Sequence, residues 1–402
     1  MAQLLYGNVY FHDVFAGTLR EQPDGRFAFT YDEEYLSLGR PAISYTLPLQ
    51  PAPIESAGGL HPFFDNLVAE GWLANAQSRA LGISREDRFG RLLAFGHDCV
   101  GAVAIVDPRP RTRPNLDIGT AGEMAALASR ASISGVQPKL LAVKTASGYR
   151  PAGSGEASTH IAKLPSGQLQ GIVELEYLTT VAAAQLLSPD PVEEFEIAQV
   201  AGLRTPSLVV RRFDRFDDAG GERKIHFEEF NQLLGRPLEA KYEGAYAEMA
   251  EFMRRNGRCD PADIDSLFRR LLAAMLLGNN DAHMKNFGLL YLGSSMRLAP
   301  VYDFVAAAVY PQYDSAMALI IGTGRNPRRW RDLGPNHVMA LAKSFGIGRG
   351  ATMQAVHDFG RQLDAAEAAV SEAPHGKRAL KTKLIQFMRK RWNAIFSSIG
   401  SK

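Results

Sequence analysis

A polar stretch wedged between two apolar ones constrains this chain more than any other feature. Residues 278–286 read Gly278-Asn279-Asn280-Asp281-Ala282-His283-Met284-Lys285-Asn286. An apolar run with helical periodicity, residues 267–277, leads into them, and an apolar, strand-like run, residues 287–292, leads out. Polar groups between two buried elements are costly unless paired, so the cluster needs either a structural partner or a chemical task. The structural alternative is a polar loop that caps the helix, with Asn and Asp present for turn chemistry.

The spacing within the stretch points to phosphoryl transfer. Asp281 and Asn286 have four residues between them. This is the interval between base and metal ligand in a kinase catalytic loop, where the Asp accepts the hydroxyl proton and the Asn holds a magnesium ion. A second acid, Asp303, follows after a further apolar strand and turn, in Val301-Tyr302-Asp303-Phe304. Such chemistry also needs a lysine for the nucleotide phosphates. Lys163 sits in an apolar strand between Ile161 and Leu164, where a lysine either snorkels to an edge or serves a buried anion. Glu174 and Glu176 open the next helix and are candidates to hold it, with charge compensation at the helix start as the alternative.

Length and composition set the frame. A chain of 402 residues exceeds a single usual core, so two or three subdomains are expected. Hydrophobic content of 46% suits globular cores and argues against disorder. The net charge of +2 gives no bulk case for nucleic acid, which leaves only local patches such as Arg325, Arg328, Arg329 and Arg331 around Trp330. Cys99 and Cys259 lie far apart with no metal-type spacing, as suits free thiols in a reducing compartment. No run is long and apolar enough for a membrane span, and the first residues lack a signal-peptide pattern, so a cytoplasmic location is expected.

Along the chain, residues 4–31 read as a β-meander with a Pro23-Asp24-Gly25 turn. Residues 61–82 read as one helix, and Ser84 can cap a second. Three prolines and three arginines in residues 107–115 mark a linker. Beyond it, Ser132-Ile133-Ser134-Gly135-Val136-Gln137-Pro138-Lys139 forms a small-residue turn opening onto a strand, where Gly135 lets backbone N–H groups approach a phosphate. Strands then alternate with one helix, residues 173–187, up to Arg211-Arg212-Phe213-Asp214. From residue 225 onward helices dominate, among them 227–234, 245–255, 261–277, 335–344, 353–371 and 378–397. The expected domains are therefore 1–106, a β-meander with helices; 107–118, a linker; 119–216, a nucleotide-binding core; and 217–402, an all-α catalytic lobe.

With these pieces in order, the chain resembles the HipA family, bacterial serine/threonine kinases that act as toxins restrained by a HipB-type helix-turn-helix antitoxin. The resemblance runs through residues 44–49 (Ser44-Tyr45-Thr46-Leu47-Pro48-Leu49), Phe63-Phe64-Asp65-Asn66-Leu67, residues 98–103, 132–139 and 159–165, Arg212 to Arg215, residues 280–287 and 300–303. The Asp-x-His-x-x-Asn pattern at Asp281, His283 and Asn286 also resembles that of lipid kinases. The resemblance implies an α+β, two-lobed protein-kinase-like fold with a β-rich N-terminal subdomain and a mostly α-helical C-lobe. It implies Asp281 as proton acceptor and Asn286 and Asp303 as Mg2+ ligands. ATP binding falls to Ser134, Gly135, Lys139, Lys163, Arg211, Arg212, Phe213, His283 and Asn286, with Lys285 acting at the γ-phosphate. Ser132 matches the serine such kinases autophosphorylate, and Ser134 offers a second hydroxyl. Pro138 departs from relatives that carry an acid there. The implied partners are a HipB-type antitoxin, DNA through that antitoxin, and a protein substrate such as an aminoacyl-tRNA synthetase. A kinase-shaped scaffold acting as co-repressor is the alternative from another functional class.

Overall fold

Alternating burial along Tyr6–Phe11 turns Gly7, Val9 and Phe11 to one face and starts an antiparallel sheet. The computed structural model describes residues 4–400, except 57, 110–113, 117–118, 131, 133–136, 168, 219–220, 314–315 and 323. The chain divides into two units. One comprises residues 1–168 and 198–240, the other 169–197 and 241–402.

The first unit holds two sheets. In one, the strands run in the order Ile54–Ser56, Phe27–Tyr31, Val14–Glu21, Tyr6–Phe11, Val103–Val106, with every neighbouring pair antiparallel. Phe29, Phe63, Phe64, Tyr31, Leu92 and Ile105 fill its core. In the other, Gly148–Pro151, Lys139–Thr145, His160–Lys163 and Ser207–Arg211 lie side by side in that order. Leu73 and Ala126, from the helices Gly71–Leu81 and Ala121–Ala128, pack on Leu140, Ala142, Ala162 and Val209 of this sheet. The N-terminal meander forms as the sequence predicts.

Three local expectations need correction. The single helix at 61–82 is two, Pro62–Asp65 and Gly71–Leu81, with buried residues Leu67 to Ala69 between them. The next helix, Arg88–Phe95, takes its cap from Asp87, whose Oδ1 accepts from Gly90 N at 2.8 Å, and not from Ser84. Residues 227–234 begin as a strand, Phe227–Glu229, before one helical turn, Phe230–Leu233.

The second unit is built on the helix Ala262–Leu277, whose last seven residues are all buried. Helix Ile172–Leu187 packs against it and against Arg349–Glu372. The helix at 172–187 groups by its contacts with residues 241–402. Residues 217–402 are mostly but not wholly helical: the hairpin Gly288–Leu292 with Ser295–Leu298 lies among them.

That hairpin is clamped to the long helix at the end of its second strand. Asp263, in the first turn, accepts from Arg297 Nε at 2.9 Å and from Leu298 N at 2.8 Å. Arg270, three turns into the helix, is held by both Asp190 oxygens at 2.6 and 2.8 Å and donates to Ala299 O. Residues 278–286 follow this helix directly, and the segment after the hairpin is tied back to it at Ala299.

Candidate active site

Gly278 ends the long helix in the left-handed region, with φ of 88°. A Cβ there would come within 2.8 Å of the Phe387 ring, so both backbone and packing require glycine. The chain then turns away from the helix, and its polar groups close on one another. Asn280 Nδ2 donates to Tyr313 O at 2.6 Å, and His283 N donates to Asp281 O at 2.8 Å. His283 Nδ1 accepts from Lys285 N at 3.3 Å, while Asn286 Oδ1 accepts from His283 N at 3.2 Å. The 278–286 segment is thus a braced loop ending in a short turn, Met284–Asn286.

His283, Lys285 and Asn286 are buried, whereas Asp281 in the same loop is exposed. Burial, reinforced by the nearby Lys241 charge, pushes the His283 imidazole down to about 3. It is therefore neutral near pH 7 and serves as a hydrogen-bond acceptor that shapes the loop. The Tyr302 hydroxyl donates to Lys285 O at 2.8 Å and fixes the backbone beneath the lysine.

Asp303 and Asn286 meet, with Asn286 Nδ2 at 3.2 Å from Asp303 Oδ2. Asp303 has φ of 52°, a left-handed conformation that a non-glycine residue adopts only where its surroundings enforce it. A carboxylate beside a carboxamide suits a hard cation. Magnesium commonly takes one or two protein oxygens and completes its shell with water and substrate phosphates. The residues present therefore fit the metal that the sequence implies.

In the first unit, Lys139 and Lys163 stand directly opposite each other on adjacent antiparallel strands, so their side chains leave the same face of the sheet. Both are buried. Like charges in this position are destabilising unless an anion or an acid lies near. Ser132 is buried, and its Oγ donates to Leu67 O at 2.6 Å. Ser134 and Gly135 lie outside the described residues.

Arg211 ends its strand opposite His160, and Phe213 meets Phe227 edge-on at 5.2 Å. The Arg212 guanidinium faces inward. It donates to both oxygens of Asp98 at 3.0 and 3.1 Å, to both of Asp214 at 3.0 and 2.8 Å, and to Ser158 Oγ at 2.8 Å. Arg215 joins through Asp98 Oδ1 at 2.7 Å. The Arg212 side chain is thus committed to an internal network, and any contact from position 212 to a nucleotide falls to its backbone.

The sequence matches the HipA N-terminal domain over residues 7–106 and the HipA-like C-terminal domain over 131–370. The chain belongs to the HipA family. Among its relatives is a Sinorhizobium fredii protein named "Putative kinase Y4mE", 32% identical over 343 residues, which cover 78% of this chain and 80% of that protein. The Shewanella oneidensis serine/threonine-protein kinase toxin HipA is 27% identical over 332 residues, 75% of each chain. A solved HipA from the same organism, in a complex of HipA, HipB and operator DNA, superimposes with a TM-score of 0.78 at 22% identity over 98% of this chain. The chain therefore has the HipA kinase-like fold.

Sequence reading missed one residue of this HipA-family site. Tyr242, at the end of the turn Leu238–Tyr242, donates its hydroxyl to Asp281 Oδ1 at 2.8 Å. Its ring stands edge-on to His283 at 4.9 Å. Thirty-nine residues separate the partners, and a tyrosine in a polar turn carries no local signal of such a role. Among the described residues no helix is long and apolar enough to cross a membrane, and both cysteines are free and buried.

Proposed function

We propose that this chain is an ATP-dependent serine/threonine-protein kinase and the toxin of a type II toxin–antitoxin pair. The observation that carries the reading is an exposed carboxylate, Asp281, on the same braced loop as Asn286, whose amide lies 3.2 Å from Asp303. The kinase names of the relatives support it.

In this reading the Asp281 carboxylate accepts the proton of the attacking serine or threonine hydroxyl. Lys163 and Lys139 hold ATP phosphates, and Lys285 acts at the γ-phosphate. Ser134 and Gly135 lend the phosphate turn, Arg211 to Phe213 lie along adenine, and His283 keeps the loop in shape as a neutral ring. Magnesium at Asn286 and Asp303 would neutralise phosphate charge. The substrate is a translation component such as an aminoacyl-tRNA synthetase, and the partner is a HipB-type antitoxin through which the protein meets DNA in the cytoplasm.

Autophosphorylation at Ser132 or Ser134 would switch the enzyme off. A phosphoserine carries about −1.5 to −2 charges near neutral pH. At Ser132 it would also lose the hydroxyl proton now donated to Leu67 O, so that serine would have to leave its buried position. Peptide mass mapping after incubation with MgATP should find the phosphate on one of these two serines.

The reading is tested by inducing wild type and Asp281→Ala in cells and comparing growth and the phosphoproteome. Wild type should arrest growth and add phosphate to serine or threonine of a discrete protein, and the variant should do neither. Equal toxicity from both would favour a scaffold that acts by binding alone. Phosphate on lipid in place of protein would favour a lipid kinase.

A further inference from the structure

Two oxygens of one carboxylate do different work if one of them is fixed. The Tyr242 phenol donates to Asp281 Oδ1 at 2.8 Å, an ordinary O–H···O hydrogen-bond length. Asp281 is the exposed member of a loop whose other polar residues are buried and braced, so its side chain lacks the packing that orients its neighbours. The tyrosine ring is held from two directions. His283 meets it edge-on at 4.9 Å and 81°, and the Lys241 ammonium lies 5.4 Å from its centroid. Tyr242 therefore offers Asp281 a hydroxyl from a ring whose orientation the site itself sets. His283 links the two, since it packs on the tyrosine and its N–H binds the Asp281 carbonyl.

We infer that Tyr242 is a positioning residue for phosphoryl transfer: its hydroxyl holds the Asp281 carboxylate by Oδ1 in the orientation that meets the acceptor hydroxyl. This rests on the kinase reading of Asp281. An acceptor hydroxyl must approach within about 2.6–3.2 Å of the base, and small misplacement of a catalytic group costs up to about 100-fold in rate. The tyrosine is the second residue after the chain passes from the first unit into the second, next to buried Lys241.

Tyr242→Phe is the informative change, because it keeps the ring contacts with His283 and Lys241 and removes only the hydroxyl. In steady-state assays with a serine peptide and MgATP, kcat should fall about 10- to 100-fold with KM for ATP within twofold of wild type. The thermal midpoint should be unchanged, which separates positioning from a loss of fold. Wild-type or higher kcat in Tyr242→Phe would overturn the inference and make the phenol idle or a plug over the base. Phosphate on Tyr242 after incubation of wild type with MgATP would also overturn it, by making the residue an acceptor. Asp281→Ala in the same assay tests the underlying reading. Activity surviving in that variant refutes the kinase assignment, whereas inactive Asp281→Ala beside fully active Tyr242→Phe refutes the positioning role alone.

Discussion

Two clusters of buried polar groups, one in each unit, are built on opposite principles. The Asp98–Ser158–Arg212–Asp214–Arg215 network of the first unit is closed: cations and carboxylates answer each other, and Gly101 N also donates to Asp214 at 2.7 Å. The 278–286 loop of the second unit is braced just as thoroughly through its backbone, but its acid, Asp281, is left at the surface. The first arrangement ties distant parts of a chain together, joining residues 98–101 to the end of a strand more than a hundred positions on. The second keeps its carboxylate at the surface, within reach of something outside the protein. Charge in a site is therefore a poor guide to function by itself, and the distinction lies in whether the charge is buried inside the protein or placed at its surface.

Breaking one member of each cluster should expose the contrast most strongly. Asp214→Ala leaves two buried guanidiniums sharing the Asp98 carboxylate alone and should cost about 3–5 kcal/mol of folding stability. Asp281→Ala removes an exposed acid and should change stability by no more than about 0.5 kcal/mol while abolishing transfer. Urea unfolding of both variants checks the pair. If Asp214→Ala unfolds at the wild-type midpoint, the network is not holding the first unit together.

The turn out of the long helix into the 278–286 loop comes next in size. Gly278→Ala must accept φ of 88° and a methyl group 2.8 Å from the Phe387 ring. Together these should cost about 2 kcal/mol. Thermal unfolding reads the loss, and a smaller value would mean that Phe387 swings aside freely.

The two clusters also differ in the pH at which each gives way. Burial alone would push the Asp214 carboxyl up, but the Arg212 and Arg215 charges reverse this and hold it far below the usual carboxylate range. Asp98 is lowered in the same way. Their contribution is complete above the ordinary Asp value of about 3.9 and is lost as pH falls below it. His283 acts earlier. The unfolded imidazole takes a proton near 6.5 and the folded one only at about 3, so between these values the unfolded state binds more protons. Stability should therefore fall with pH from the mid-6 range downward, by at most about 1.4 kcal/mol per unit for this one group. His283→Gln should flatten that part of a stability–pH curve and leave the steeper loss below pH 4 in place.

What the sequence revealed follows the same division. The loop was legible because its chemistry is local: Asp281, Asn286 and Gly278 stand within nine positions, and Asp303 follows one hairpin later. Lys163 was legible as a charge in an apolar strand. The role of Arg212 was not, because Asp98, which answers it, lies 114 residues away, and an arginine beside an aromatic reads equally well as a nucleotide edge. Tyr242 was hidden for the same reason. Among the elements, Ser84 and Asp87 both suit a helix cap, and only the placed Gly90 N–H decides between them. Residues 227–234 mix aromatic and polar side chains in a way that fits either period, and the strand at 227–229 is a tertiary outcome. The helix at 172–187 follows the strands of the first unit's second sheet in sequence, yet it packs with 262–277 and 349–372, a choice made by apolar faces far along the chain.

The smallest expected effect lies where the first unit is both closed and, in the kinase reading, reactive. Ser132 Oγ donates to Leu67 O in a buried setting, so the serine is answered in the same sense as Arg212. Ser132→Ala removes one neutral hydrogen bond and should cost about 1 kcal/mol. Because Leu67 lies between the helices at 62–65 and 71–81, the bond ties Ser132 to the N-terminal core. In urea the midpoint should fall with the slope unchanged, since the native surface stays the same. A lower slope would mean that the turn has come loose in the native state. Ser132 would then be poised to leave its place without phosphate, and the line between a closed cluster and an open one would run through this serine as well.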